Sequence, residues 1–267
     1  MGNTIISGYN NFMSEMFEPI KRLGQNFLKD RLAIKKMVKA LGVQDGEIIV
    51  EIGPGLGAIT REILEAYGNW DVEIKAVEID LRFVDKLRSM FLDYMNIKII
   101  ESNIIDWLPT FDPVDKKFRV IGSLPYYITS PIIHNIIKMK SLPESCVLLI
   151  QKEVARKISS VAPDSSYMSS FVQSFFDVEY LMTVDKKEFA PSPEVDAGII
   201  KLVKKQKITD VDANKYEHFL HKAYSNPRKM LNKVFYQDEL NKADLNGSYR
   251  AQNYNAEDWL NAFRILS

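Results

Sequence analysis

Val50-Glu51-Ile52-Gly53-Pro54-Gly55-Leu56-Gly57 decides the fold. The apolar run Ile48-Ile49-Val50 leads into it and reads as a buried strand. The pattern Ala58-Ile59-Thr60-Arg61-Glu62-Ile63-Leu64-Glu65 follows it and reads as a helix. Strand, glycine turn, helix is the unit of a doubly wound α/β sheet that receives a nucleotide-like ligand. Glycines at alternate positions permit positive φ and leave no Cβ between the backbone and an approaching ligand. The spacing is not the G-x-G-x-x-G of a pyrophosphate turn, and no Lys-Ser/Thr pair follows, which excludes a phosphate loop.

Further strands flank this unit. Glu73–Asp80 reads as the second, with Glu78 at its C-terminal end, where an acid can accept hydrogen bonds from both hydroxyls of a ribose. Ile97–Ile100, Phe118–Gly122 and Cys146–Gln151 read as three more. The run after Phe118 ends in Ser123-Leu124-Pro125-Tyr126-Tyr127, aromatic and proline-bearing, at the sheet edge where open α/β folds bind ligands. Val178–Val184 and Ala197–Val203 read as a final antiparallel pair. Before the glycine turn, Leu32–Leu41 reads as a helix with Ile34, Val38 and Leu41 on one face, stopped by Gly42.

Beyond Lys204-Lys205-Gln206-Lys207 the pattern turns helical, over Ala213–Ala223, Pro227–Leu240 and Ala256–Leu266. Three regions are therefore expected: a mobile arm at 1–18, an α/β domain at 19–204 and a small all-α domain at 205–267. His218 and His221 share a helix face but lack the further ligands a metal site needs, so packing is expected of them and no metal is expected.

At 267 residues and 46% hydrophobic the chain can bury a large core. Its formal net charge is zero, so any nucleic-acid surface has to be a local patch. The single cysteine, Cys146, excludes an internal disulfide and fits a reducing cytoplasm. No stretch reads as a membrane span or a signal peptide.

Seven motifs in order carry a resemblance: Leu23-Gly24-Gln25-Asn26-Phe27-Leu28, Glu51–Gly57, Val77–Asp80, Leu124-Pro125-Tyr126, Gln151–Ala155, Phe189–Asp196 and Ser225–Leu231. Over about residues 20–235 the chain resembles the rRNA adenine N6,N6-dimethyltransferases, specifically their small-subunit (16S-type) branch. The resemblance implies a Rossmann-like class I methyltransferase domain, with a mostly parallel seven-stranded sheet, plus a small all-α C-terminal domain. It implies S-adenosylmethionine as cofactor, released as S-adenosylhomocysteine. Gln25, Asn26, Leu28, Glu51, Gly53, Gly55, Glu78, Ile79, Asn103 and Ser123 would bind it. The implied reaction is dimethylation of two adjacent adenosines near the 3′ end of 16S rRNA, within an immature small ribosomal subunit, by a monomer.

An exocyclic amine is a poor nucleophile, so alignment and acceptors on its hydrogens do the work. The family places an Asn carbonyl and a proline carbonyl there. This chain has Ser123 and Pro125 at those positions. Ser123-Leu124-Pro125-Tyr126 thus forms the catalytic loop, with Tyr126 and Phe189 stacking on the two faces of an extruded adenine. Serine is shorter than asparagine, which predicts slower transfer unless a water or a loop shift bridges the gap. Ser102-Asn103 replaces the family's Gly-Asp, and the Asn103 carbonyl can accept from the cofactor adenine.

Lys152, Arg156, Lys157, Lys222, Arg228, Lys229 and Lys233 are the expected phosphate contacts. Two alternatives remain at this point: an assembly checkpoint that transfers weakly, and a large-subunit methyltransferase of the erythromycin-resistance type.

Overall fold

A computed structural model describes residues 18, 20, 23–206 and 211–267. The expected N-terminal arm lies outside the described residues except for Glu18. In chain order the elements begin with β1 (Phe27–Leu28), α1 (Arg31–Leu41), β2 (Ile48–Ile52), α2 (Ala58–Tyr67), β3 (Glu73–Glu78), α3 (Leu81–Met90) and β4 (Ile97–Glu101). They continue with α4 (Ile104–Trp107), β5 (Phe118–Ser123), α5 (Thr129–Ile137), β6 (Ser145–Gln151), α6 (Lys152–Ser159), α7 (Tyr167–Gln173) and β7 (Phe176–Val184). The last are β8 (Phe189–Ala190), β9 (Ala197–Lys204), α8 (Ala213–Ala223), α9 (Gln237–Lys242) and α10 (Ala256–Leu266).

Seven strands form one sheet in the order β4-β3-β2-β5-β6-β9-β7. The ladders β2–β3, β2–β5, β3–β4 and β5–β6 are all parallel. The order reverses at β2, so the crevice of a doubly wound sheet opens at the C-terminal ends of β2, β3 and β5. β2 is buried along its whole length, which is why its first three residues read as a continuous apolar run rather than an alternating one. Gly122 allows β5 to lie flat against β2. A Cβ there would stand 2.7 Å from the Ile52 carbonyl oxygen.

The helices start and stop where local chemistry dictates. Asp30 caps α1 by accepting from the amides of Leu32 and Ala33, and Gly42 ends it in the left-handed region at φ +69°. The buried face of α1 carries Ala33, Ile34, Met37, Val38 and Leu41. α7, unforeseen from the sequence, is set by a reciprocal cap between Ser166 and Ser169.

Contacts group the chain into two compact units, one of 1–152 with 181–201 and one of 153–180 with 202–267. The second unit takes in 153–180, which the sequence pattern had placed with the α/β domain. The cause is aromatic packing. Phe171 and Phe175 lie 6.3 and 6.2 Å from Tyr216, and Tyr167 stacks on His221 at 4.4 Å. Ser170 and Ser174 add hydrogen bonds to the hydroxyls of Tyr224 and Tyr216, both at 2.8 Å.

The continuous helix expected over Pro227–Leu240 does not form. A turn closed by Lys229 N to Asn226 O is followed by a single 3-10 turn at Leu231–Lys233 and then by α9. Pro227 lacks an amide, while Met230 and Tyr236 are extended. Each interruption opens a new cap, and Glu239 accepts from the Tyr236 amide at 2.7 Å. The other two C-terminal helices occupy the expected residues. Among the described residues no helix is long and apolar enough to cross a membrane.

Candidate active site

A cavity of about 250 Å³ lies at the C-terminal ends of β2, β3, β4 and β5. Gln25, Asn26, Leu28, Gly53, Gly55, Glu78, Ile79, Asn103, Ser123, Leu124, Pro125, Tyr126 and Phe189 all line it. Residues from six separate stretches of chain are therefore brought to one place.

Its floor is the glycine turn. Gly53, Gly55 and Gly57 all hold positive φ, at +63°, +53° and +76°. A Cβ at Gly53 would meet nothing within 4 Å, so this backbone faces open space, as a turn that cradles a ligand must. At Gly57 the constraint is packing instead, since a Cβ would stand 3.1 Å from Leu87.

Glu78 is 6% exposed and holds three amides. Its Oε1 accepts from Ile79 and Asp80, both at 2.9 Å, and its Oε2 accepts from Gly55 at 3.0 Å. Burial raises its pKa, and the three N–H donors work against that rise. The carboxylate thereby locks the second strand's end to the glycine turn. Its remaining lone pairs suit a pair of hydroxyls.

Glu51 departs from expectation. It does not line the cavity. Its side chain is 1% exposed and turns toward α2, where Thr60 Oγ1 donates to Oε2 at 2.7 Å. Oε1 is buried without a partner. Burial, with the nearby Glu78 adding to it, pushes its pKa up to about 8 against the lowering from Thr60. A buried carboxyl with an unpartnered oxygen beneath a ligand-sized cavity suits a cationic ligand, and S-adenosylmethionine carries an ammonium and a sulfonium.

The second wall comes from a pairing that the sequence did not disclose. β1 and β8 form a separate two-stranded antiparallel sheet, with Phe27 opposite Ala190 and Leu28 opposite Phe189. Lys29 N extends it by donating to Glu188 O at 2.8 Å. Gly24, at φ +61°, lets the same loop close on the turn after β5, because a Cβ there would sit 3.3 Å from both Pro125 and Tyr127. Phe27 meets Phe83 edge to face at 5.5 Å, and a Cβ on Gly55 would stand 3.1 Å from its ring. Phe27 and Tyr127 were missed as lining residues. Their signal was an aromatic ring within each loop motif.

Gln25 lines the cavity but its amide is engaged elsewhere. Nε2 donates to Asp80 Oδ2 at 2.7 Å and Oε1 accepts from Ile20 N at 2.8 Å. Asp80, passed over as a site residue, is 5% exposed and also takes Arg82 at 2.6 Å, which holds its pKa below the usual carboxylate range. Asn26 Nδ2 donates to Gly24 O at 3.2 Å. Asn103 caps α4, its carbonyl accepting from Ile105 N at 3.0 Å.

In the Ser123–Tyr126 turn, Leu124 N is tied to Leu149 O of β6 at 2.9 Å. The Pro125 carbonyl, expected to serve as an acceptor for substrate, already accepts from Ile128 N at 3.2 Å and Thr129 Oγ1 at 3.3 Å. Those bonds close the 3-10 turn that presents Tyr126. The carbonyl of Leu124 and the hydroxyl of Ser123 have no such bond among the described residues. Tyr126 OH is buried without a partner, and burial together with Asp196 pushes its pKa up to about 12. Phe189 is 3% exposed and lines the cavity.

The basic residues do not behave alike. Lys152 pairs with Asp196 at 2.9 Å, Lys157 with Glu153 at 2.9 Å and Lys222 with Glu239 at 2.8 Å. Arg156, Arg228, Lys229 and Lys233 are exposed and make no ion pair among the described residues. No group of three or more metal-ligating side chains occurs among the described residues.

Comparison with known proteins agrees with this geometry. A family model described as "Ribosomal RNA adenine dimethylase" matches residues 16–267. "Ribosomal RNA small subunit methyltransferase A" of Sulfurihydrogenibium sp. (strain YO3AOP1) is 36% identical over 253 residues, 93% of this chain and 96% of that one. The protein of the same name from Persephonella marina is 33% identical over 251 residues, 92% and 93%. Among solved structures, a dimethyladenosine transferase from Plasmodium falciparum superposes with a TM-score of 0.77 at 23% identity, over 88% of this chain and 95% of that one, a likeness of fold.

Proposed function

Because this chain belongs to the ribosomal RNA adenine dimethylase family, we propose that it dimethylates the N6 amines of two adjacent adenosines near the 3′ end of small-subunit rRNA. Its substrate would be the rRNA within an immature small ribosomal subunit, its compartment the cytoplasm, and no metal would take part. The carrying observation is the convergence of the Gln25–Leu28 loop, the glycine turn, Glu78, the Ser123–Tyr126 turn and Phe189 on one cavity. The names of relatives sharing a third of their residues over nearly their whole length support the choice of subunit.

Bound S-adenosylmethionine would supply an activated methyl group on a sulfonium, so no metal or strong base is needed. Glu78 would hold the ribose hydroxyls. Asn103 and Ile79 would flank the adenine of the cofactor. Tyr126 and Phe189 would clasp the extruded target base, each stacking contact contributing about 1–3 kcal/mol. The N6 hydrogens would be accepted by Ser123 Oγ and by a backbone carbonyl. We assign the carbonyl to Leu124, since that of Pro125 is engaged in its own turn. Acceptors fixed before reaction favour the tetrahedral, partly positive nitrogen over the planar amine. Of the seven expected phosphate contacts, Arg156, Arg228, Lys229 and Lys233 are exposed and make no ion pair among the described residues, which leaves them open to phosphates.

Ser123 also favours a second reading, an assembly factor that transfers slowly. Methyl transfer to under-modified small subunits by wild type and by Ser123→Asn separates the two. A several-fold faster Asn variant, compared at saturating cofactor, is expected from the shorter reach of serine. Equal rates would show that serine is no handicap.

A further inference from the structure

Lys152 stands out among the basic residues by where its partner lies. Its Nζ meets Asp196 Oδ2 at 2.9 Å, and its amide donates to the Asp196 carbonyl at 3.0 Å. Asp196 closes the segment that carries Phe189. Its Oδ1 also accepts from Lys186 N at 3.3 Å, at the segment's other end. The segment is folded on itself as well, with Ser192 Oγ donating to Lys186 O at 2.8 Å and Lys186 Nζ to Glu194 O at 3.3 Å. One carboxylate thus holds both ends of the Phe189 segment to the residue that follows β6.

β6 also holds the turn that carries Tyr126. Leu149, three residues before Lys152, accepts the hydrogen bond from Leu124 in that turn. Tyr126 lies close enough to Asp196 for that charge to oppose its ionisation. The two aromatic walls of the slot are therefore referred to one strand, through Leu149 on one side and Lys152–Asp196 on the other.

We propose that Lys152 and Asp196 are a positioning pair that sets the width of the adenine slot between Tyr126 and Phe189, and that Lys152 is not a phosphate contact. This rests on the reading of the cavity as an adenine N6-methyltransferase site. Both side chains are about a third exposed, so the pair contributes little to global stability. Its effect is on geometry, where a displacement of about 1 Å costs about a hundredfold in rate.

The test compares Lys152→Met, Lys152→Arg, Asp196→Asn and the Met/Asn double variant on under-modified small subunits. The positioning role predicts about a tenfold fall in kcat for Lys152→Met and for Asp196→Asn, with KM for the particle and Kd for S-adenosylmethionine within twofold. The double variant should be no worse than either single one, and Lys152→Arg should retain most of the rate. A phosphate contact predicts the opposite split. Lys152→Met would then raise KM and flatten its salt dependence, and Asp196→Asn, by freeing the lysine, would leave kcat alone or lower KM; that result overturns the proposal.

Amide exchange at Lys29, which is bonded to Glu188, gives a readout independent of transfer. It should accelerate at least fivefold in Asp196→Asn with Tm nearly unchanged, and no acceleration overturns the proposal. If wild type transfers no methyl group, the functional reading fails while the exchange measurement still decides the pairing.

Discussion

Glu51→Gln tests whether the carboxyl under the glycine turn is as isolated as its surroundings imply. The side chain is 1% exposed, Oε1 has no partner, and burial lifts its pKa from 4.5 to about 8. The folded pKa lies above the unfolded one, so the folded chain keeps a proton that the unfolded chain has lost. The stability this brings is fully present below pH 4.5 and is lost as pH rises toward about 8. One pKa unit is about 1.4 kcal/mol, so from pH 5.5 to 7.5 wild type loses about 3 kcal/mol from this group.

Glutamine has the same shape and does not titrate. Its oxygen can still accept from Thr60, and its amide nitrogen occupies the partnerless position at every pH. The ligand-free variant should therefore gain on wild type by about 3 kcal/mol between pH 5.5 and 7.5. For a chain of this size that is a rise of about 5–10 °C in the difference between the two Tm values. Thermal unfolding of both proteins at pH 5.5, 6.5 and 7.5 measures it. A Tm difference that does not change with pH would refute the reasoning and show that Glu51 is ionised in the ligand-free fold.

Tyr126→Ala removes one stacking face and should lower kcat/KM on small subunits by about 5- to 150-fold, equivalent to about 1–3 kcal/mol. Titration calorimetry should show unchanged cofactor binding. Glu78→Gln places an NH₂ group against either Gly55 N–H or the Ile79 and Asp80 amides. Losing one bond to a charged acceptor costs about 1.5–3 kcal/mol, so S-adenosylmethionine should bind at least tenfold more weakly in the same calorimeter. Gly122→Ala sets a Cβ 2.7 Å from a backbone oxygen that cannot retreat within a sheet. The expected loss is about 1–3 kcal/mol, read as a fall of several degrees in Tm with far-ultraviolet dichroism otherwise native.

The features legible in the sequence were those whose cause is local. The glycine turn announced itself because three successive alternate positions need positive φ, and Glu78 because a carboxylate at a strand end follows directly from the strand. Helix α1 was stopped by Gly42, a local signal. What stayed hidden depends on pairs distant in sequence. The β1–β8 sheet joins Phe27–Leu28 to Phe189–Ala190 with two residues a side, too short for any periodicity. Nothing in the Gln25 loop reveals that Asp80, 55 residues on, takes its amide. The Lys152–Asp196 pair was hidden for the same reason, its members lying 44 residues apart. Pro227 carried the warning that a helix would not run through it, but the apolar spacing of Leu231, Phe235 and Leu240 imitated one. The grouping of 153–180 with the C-terminal helices stayed hidden because Tyr167, Phe171 and Phe175 find their aromatic partners, His221 and Tyr216, far along the chain in α8.

The most direct test of the account supplies labelled S-adenosylmethionine and wild-type protein to under-modified small and large ribosomal subunits separately, then maps the modified nucleotides. The account predicts up to four methyl groups per small subunit, all as N6,N6-dimethyladenosine on two neighbouring residues near the 3′ end of its rRNA. Label in the large subunit, on any other base, or in neither particle would contradict it.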